Sequence, residues 1–420
     1  MLISEAQAPG KLYLAGEYAV VNPGNPALLM AVNRYVEARV SSSERWLVTS
    51  AQFSGSQVVV GGYVPDNLSF ASAALEIARN YASKVSEREV CGHVHIDSHL
   101  QSDDGTKFGL GSSAAVCVAV VRAVLAAYGV QASPVTVFKL AATAHFLVQG
   151  NGSLGDVAAS SMGGLVYYRS PDREWLRSFV DAHTAPAQFA SATADFDYEN
   201  SLYGTLSRLD AVSLVEQAWP DLVIEQVRQA ANLEIEVGWT GKPASTKALV
   251  KKAAKPVEPA KYRAFLHASA RSVDALRALV SAPTGAAVRA PAGELASVVA
   301  ELRAQLNELS ALRDVEVETD ELRRGIEIAL SHGFAAKSSG AGGGDCLIAL
   351  RVNPLVLANS AVLADSAALA KDYNVAAYSH SLRKAWLQAG ITPLALSLSP
   401  AHTTAASSSD FSAEGEVYDA

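Results

Sequence analysis

Half of the 420 residues are hydrophobic and 18% are charged, which suits a globular chain with a sizeable core and, by length, two domains. A net charge of −8 excludes a general affinity for nucleic acid, though it leaves room for a local basic pocket. Cys91, Cys117 and Cys346 lie far apart with no zinc spacing, which argues against a disulfide framework and points to a reducing cytoplasm.

The first residues, "MLISEAQAPG", lack the basic start and apolar core of a secretory signal. "KLYLAGEYAVV" reads as strand and turn, and "RYVEARVSS", "RWLVTSAQ" and "SQVVVGGY" as further strands. Leu68, Ala71, Leu75, Ala78 and Tyr81 fall on one face of a helix. "EVCGHVHIDSHL" alternates as a strand, with His93, His95 and His99 on one face. No carboxylate or cysteine pattern supports them, so they read as solvated or packed residues rather than metal ligands. The longest apolar run, Ala114 to Val130, contains Arg122 and reads as a buried helix rather than a membrane span, which needs about 20 residues. A second helix starts near Pro134. Leu222 to Trp239 is strand-like, and three helices follow around 259–280, 292–313 and 318–331. Residues 401–420 hold four acids and no Lys or Arg, and read as a disordered tail.

The chemistry concentrates in loops. "KFGLGSSAAV", Lys107 to Val116, precedes the apolar helix. No P-loop is present, because neither Gly-Lys pair runs on into Ser or Thr: Gly10-Lys11 is followed by Leu12 and Gly241-Lys242 by Pro243. Gly109, Gly111 and Ala114 fit a dinucleotide fingerprint, yet the acid that should hold a ribose is missing. No Asp or Glu occurs between Gly105 and Gly155, whereas Lys107, Arg122 and Lys139 do. Two readings remain at this point. Ser112 and Ser113 either cap a helix in a small-residue packing site, or stand at an anion cradle of free N–H groups. A second loop, "SSGAGGGDC", has four glycines between Gly340 and Gly344, and two such loops flanked by serines suit one polyanion. "PGKLYLAGEYAVV" adds Lys11 at a strand start.

In order and spacing, these three segments resemble the three motifs of the GHMP kinases, and they span residues 9 to 346. Within that family the chain is most similar to the phosphomevalonate kinase branch, through "AHFLVQGNGSLGDVAAS" and "GWTGKPAST". Leu154-Gly155 departs from that branch's usual Gly-Phe before Asp156, and Val148 from its Ala. Mevalonate kinases carry an acid upstream of the corresponding Asp; here His145 lies in that region.

The resemblance implies an α+β fold of two domains: an N-terminal domain like the second domain of ribosomal protein S5, over residues 1–195, and a ferredoxin-like α+β C-terminal domain, over 196–400. It implies an ATP- and Mg²⁺-dependent kinase acting on 5-phosphomevalonate. Mevalonate kinase, diphosphomevalonate decarboxylase and a silent ligand sensor are the rivals. Lys107, Gly109, Leu110, Gly111, Ser112, Ser113 and Ala114 would wrap the nucleotide phosphates, with Ser112 or Ser113 on the metal. Lys11 would neutralise the transferred phosphoryl group, and Asp156 would act on the acceptor as base or orienting group. On residues alone Asp156, following Gly155, reads first as a helix cap ahead of "VAASSM"; the resemblance is what favours catalysis. Substrate contacts would come from Lys11, Tyr18, Gly155, Lys242, Ser245 and Thr246, and from Ser338, Ser339, Gly340, Ala341, Gly342 and Gly343. The expected partners are small molecules only, with no nucleic acid and no membrane, in a cytoplasmic monomer or weak homodimer.

Overall fold

The computed structural model describes residues 1–186, 197–198, 200–230, 232–242, 257–281, 292–352 and 375–402. Ser245, Thr246 and nearly all of the expected acidic tail lie outside them, as does the expected domain break after residue 195.

Two long strands, β1 (Leu2–Ala15) and β2 (Pro26–Ser42), form the antiparallel spine of the first sheet. The first half of β2, "PALLMAV", is buried on both faces; its second half alternates, as a strand with one solvated face must. β3 (Leu47–Ser50), β4 (Gln57–Val59), β5 (Gly92–Ser98), β6 (Leu165–Arg169) and β7 (Val223–Val227) complete the sheet in the order β4-β3-β5-β2-β6-β7, with β1 also on β2. β7 pairs with β6, so the first sheet runs past residue 195. His93 and His95 on β5 both hydrogen-bond the Thr49 hydroxyl, at 2.7 and 2.9 Å, and no metal-holding cluster occurs among the described residues.

Helices α1 (Ser69–Val85), α2 (Ser112–Ala127), α3 (Pro134–Gln149) and α4 (Gly155–Met162) build the layer packed on this sheet. α2 is apolar almost all round, which is the pattern of a helix buried within a core. Among the described residues no helix is long and apolar enough to cross a membrane.

The second sheet is antiparallel, in the order β11 (Thr392–Leu394), β8 (Leu233–Trp239), β10 (Cys346–Val352), β9 (Ala335–Ser338). After three short helices, α5 (Arg173–Ala182), α6 (Leu202–Arg208) and α7 (Ala211–Glu216), the three expected helices appear as α8 (Pro259–Val280), α9 (Ala292–Arg313) and α10 (Asp320–Ser331). Trp386, on α11 (Val375–Gln388), closes a separate apolar cluster with Leu322, Ile326 and Leu347, and its indole N–H donates to the Gly325 carbonyl at 2.8 Å. The α+β expectation with two sheets therefore agrees with the structure.

After β11 the chain returns to the first sheet. Leu398 bridges to Val32, and the Ser399 N–H donates to the Ala31 carbonyl at 2.9 Å. His402 ends this return, 3.1 Å from the Arg122 guanidinium; burial and that cation pull its imidazole down to about 4. An unfolded histidine titrates near 6.5, so below that pH the unfolded chain binds the extra proton. Stability from this site is complete above about pH 6.5 and is lost as pH falls toward about 4, by up to about 3 kcal/mol. Urea unfolding of His402→Gln, compared with wild type at about pH 7 and about pH 4.5, should show less acid destabilisation in the variant. Equal losses would contradict the assignment.

Candidate active site

The three glycine- and serine-bearing loops converge on a cleft of about 240 Å³. β1 delivers Lys11 to it. The Lys11 N–H donates to the Leu110 carbonyl at 2.9 Å, and its ammonium donates to the Gly109 carbonyl at 3.3 Å. The strand and the loop before α2 are thus joined backbone to backbone.

Gly111 begins α2 in a left-handed conformation (φ 78°). A Cβ there would lie 2.9 Å from Lys11 Cε and 3.6 Å from Asp156 Cβ. The bare Cα is what lets a lysine and a carboxylate flank the start of this helix. Ser112 and Ser113 open the first turn, where N–H groups have no partner within the helix. The Ser113 hydroxyl meets His145 Nε2 at 3.0 Å. His145 is buried against the Phe70 ring; burial lowers its pKa, and Asp156 partly opposes that. The imidazole is therefore neutral at physiological pH.

Asp156 sits in the first turn of α4, and its Oδ1 accepts from the Val157 N–H at 3.0 Å. The residue at the cap position is Leu154, whose hydrophobic side chain is buried and whose backbone is left-handed (φ 66°). A non-glycine residue in this region is strained, and such strain gathers at functional sites. Here Leu takes the position where glycine is usual in the branch that the sequence resembles. Ser153 braces the turn: its Oγ accepts from the Gly155 N–H at 3.2 Å and bonds the Tyr13 hydroxyl at 3.0 Å, while its carbonyl accepts from the Tyr168 hydroxyl at 2.6 Å. Burial, with Asp156 and Glu17 nearby, pushes the Tyr13 phenol well above its usual range.

The third loop is stitched to β1. Ser339 Oγ accepts from the Tyr13 N–H at 3.0 Å and donates to the Tyr13 carbonyl at 2.8 Å. The Tyr18 hydroxyl donates to the Ala341 carbonyl at 2.5 Å. Lys337, fully buried, pairs with Glu17 at 2.5 Å and also donates to the Ser338 carbonyl.

Of the sequence-derived candidates, Lys11, Tyr18, Lys107, Gly109, Gly111, Ser112, Ser113, Asp156, Gly340 and Ala341 line the cleft. Leu110 and Ala114 are buried behind it, and Gly155 packs on Tyr13. Ser338 and Ser339 are interior braces. Gly342 and Gly343 turn away toward the Val317 carbonyl. The Lys242 ammonium lies outside the cleft lining, paired with Glu321 at 2.6 Å. Sequence reasoning did not single out Tyr13, Gln149, Ser153 or Asp345 as wall residues. Asp345 adjoins the glycine run, and its carboxylate lies against the Gly109 Cα.

A second hollow of about 200 Å³ shares Lys107, Ser112 and Ser113 with the cleft and continues past Phe53, Phe70 and Gln52. The two hollows meet at the start of α2. That junction offers a helix N-terminus, hydroxyls and a lysine to phosphates, flanked on one side by aromatic walls and on the other by Lys11 and Asp156.

Two family models match in the expected order: the GHMP kinases N terminal domain over residues 69–164, and the GHMP kinases C terminal domain over 293–351. A phosphomevalonate kinase of Streptomyces sp. (strain CL190) is 31% identical over 373 residues, 82% of this chain and 88% of that protein. A mevalonate kinase of Pyrococcus horikoshii is 33% identical, but over 39% of this chain and 50% of that protein. Among solved structures, a Lin0012 protein from Listeria innocua superposes with a TM-score of 0.76 at 30% identity, covering 95% of this chain and 98% of that one. Streptococcus pneumoniae phosphomevalonate kinase, in complex with phosphomevalonate and AMPPNP, has the same fold, with a TM-score of 0.73 at 24% identity over 94% and 99% of the two chains. With both domains in order and a relative matched over most of both lengths, the chain belongs to the GHMP kinase family, on the side of its phosphomevalonate kinases.

Proposed function

We propose that the protein is an ATP-dependent phosphomevalonate kinase, moving the γ-phosphoryl group of ATP to 5-phosphomevalonate to give 5-diphosphomevalonate and ADP. The observation that carries this reading is the flanking of the α2 N-terminus by Lys11 and Asp156, with only the Gly111 Cα between them. The near-full-length phosphomevalonate kinase relative supports the choice of acceptor.

Phosphoryl transfer asks the protein for alignment and charge neutralisation rather than covalent chemistry. The nucleoside occupies the hollow with Phe53 and Phe70, and its phosphates cross the α2 N-terminus. Lys11 faces the transferred group and offsets charge as the bond to ADP breaks. The acceptor is a phosphate oxygen, and a phosphate monoester holds its last proton with a pKa of about 6. Asp156 takes that proton from the protonated fraction or orients the accepting oxygen, while the Gly109 carbonyl holds the Lys11 ammonium at 3.3 Å. The hydroxyls of Ser112 and Ser113 and the cleft carboxylates are hard oxygen donors of the kind Mg²⁺ selects. When bound, Mg²⁺ would neutralise the nucleotide's phosphate charge. Three unpaired cysteines suit a reducing compartment, and we place the enzyme in the cytoplasm.

The test is ADP release with ATP and Mg²⁺ in the presence of mevalonate, its 5-phosphate or its 5-diphosphate, each alone. Turnover with the 5-phosphate only is expected. Turnover of mevalonate, or CO₂ from the diphosphate, would replace this reading with one of its two rivals on the same fold.

A further inference from the structure

α4 has eight residues, so whatever holds its last carbonyls also sets the position of Asp156 at its start. Those carbonyls are held from three directions. Arg122 Nη2 donates to the Ser161 carbonyl at 2.8 Å. The His402 N–H and Gln226 Nε2 both donate to the Met162 carbonyl, at 2.8 and 2.7 Å. Arg122 Nη1 reaches across to the Gln7 carbonyl on β1 at 2.8 Å and to His402 Nε2 at 3.1 Å.

Arg122 belongs to α2, the helix whose other end meets the phosphates. One guanidinium therefore ties the nucleotide-facing helix, the strand of Lys11 and the helix of Asp156. A buried cation is costly, and an apolar side chain could fill the same space. A cation at a helix C-terminus is also favourable to the helix dipole. The segment Ser397–His402 completes the clamp: Ser399 accepts from the Gly164 N–H at 3.0 Å, and a Cβ on Gly163 (φ 66°) would strike the Pro400 carbonyl at 2.1 Å. This segment starts three residues after the end of β11, so it also links the second sheet to the base of α4.

We propose that Arg122, clamped by the returning segment Ser397–His402, is a positioning residue that keeps Asp156 in register with the phosphate-facing end of α2. The inference rests on the reading of Asp156 as a group that acts on the acceptor. It requires that Arg122 matter for turnover through Asp156 and not through nucleotide binding.

A double-mutant cycle tests it in the full-length protein. Arg122→Met is expected to lower kcat about 30-fold with the KM for ATP changed less than about twofold, and Arg122→Lys to recover part of the loss. In an Asp156→Asn background the same Arg122→Met change is expected to lower the residual rate by less than about threefold. Equal losses in both backgrounds, or a raised KM with kcat intact, would overturn the proposal. Where Arg122→Met does not fold, His402→Ala takes its place in the cycle, with an expected kcat loss of about 3–10-fold that likewise vanishes beside Asp156→Asn. Asp156→Asn leaving turnover unchanged would overturn the reading of Asp156 itself, and this inference with it. Collapse of Asp156→Asn with additive Arg122 effects overturns only the inference.

Discussion

Asp156→Asn is expected to lower kcat by about 10²–10⁴-fold while nucleotide still binds. Asn keeps the shape of the side chain and can still accept from the Val157 N–H, so α4 keeps its first turn. What is lost is the negative charge beside Lys11 and the capacity to take a proton. The hollow proposed for the nucleotide, lined by Phe53, Phe70 and Ser112, does not include Asp156, so nucleotide affinity should stay within about threefold. Single-turnover rates and equilibrium nucleotide binding, measured side by side, separate the two. A variant with wild-type turnover would return Asp156 to a structural place in the first turn of its helix.

The second large effect concerns stability. Glu17 and Lys337 are both almost wholly buried and meet at 2.5 Å. Replacing Glu17 with Met would leave the Lys337 ammonium in the interior with only the Ser338 carbonyl as a partner among those described. Such a loss costs about 3–5 kcal/mol, whereas removing both charges together is often close to neutral. Glu17→Met is therefore expected to be far less stable in denaturant than the double variant Glu17→Met, Lys337→Met. Equal destabilisation of the two would mean that the pair's shape, not its charge, matters. The pair also joins the first and third loops, since Glu17 accepts from the Gly340 N–H at 3.4 Å, so the single variant should lose activity along with stability.

Much of this was legible in the chain itself. α1 and the three helices α8–α10 carry unbroken apolar periodicity, and each lies where that period placed it. The glycine- and serine-bearing loops that line the cleft were legible because glycine beside serine is a local signal that needs no tertiary context. α4 was legible only through Asp156 as a helix cap, because "GDVAASSM" has no apolar stripe to reveal its buried face; the structure puts Leu154 at the cap and Asp156 in the first turn. Tyr13 and Ser153 read as ordinary strand and loop residues, and become cleft residues only when β1 meets the turn before α4. Glu17 and Lys337 stand 320 positions apart, beyond any local pattern. Lys242 belongs to a local motif, but where its side chain lies was not legible: it pairs with Glu321 outside the cleft lining.

The return of Ser397–His402 to the first sheet also has a bearing on biosynthesis. The loop Lys107–Ala114, Lys11 and Asp156 all emerge within the first 156 residues, yet the base of α4 is completed by a segment that leaves the ribosome about 240 residues later. Pairings that span most of the chain form slowly, because their loop must close before any contact offsets the entropy. A nascent chain halted before residue 397 would therefore carry Lys11 and Asp156 without the Ser397–His402 segment that is proposed to keep them in register.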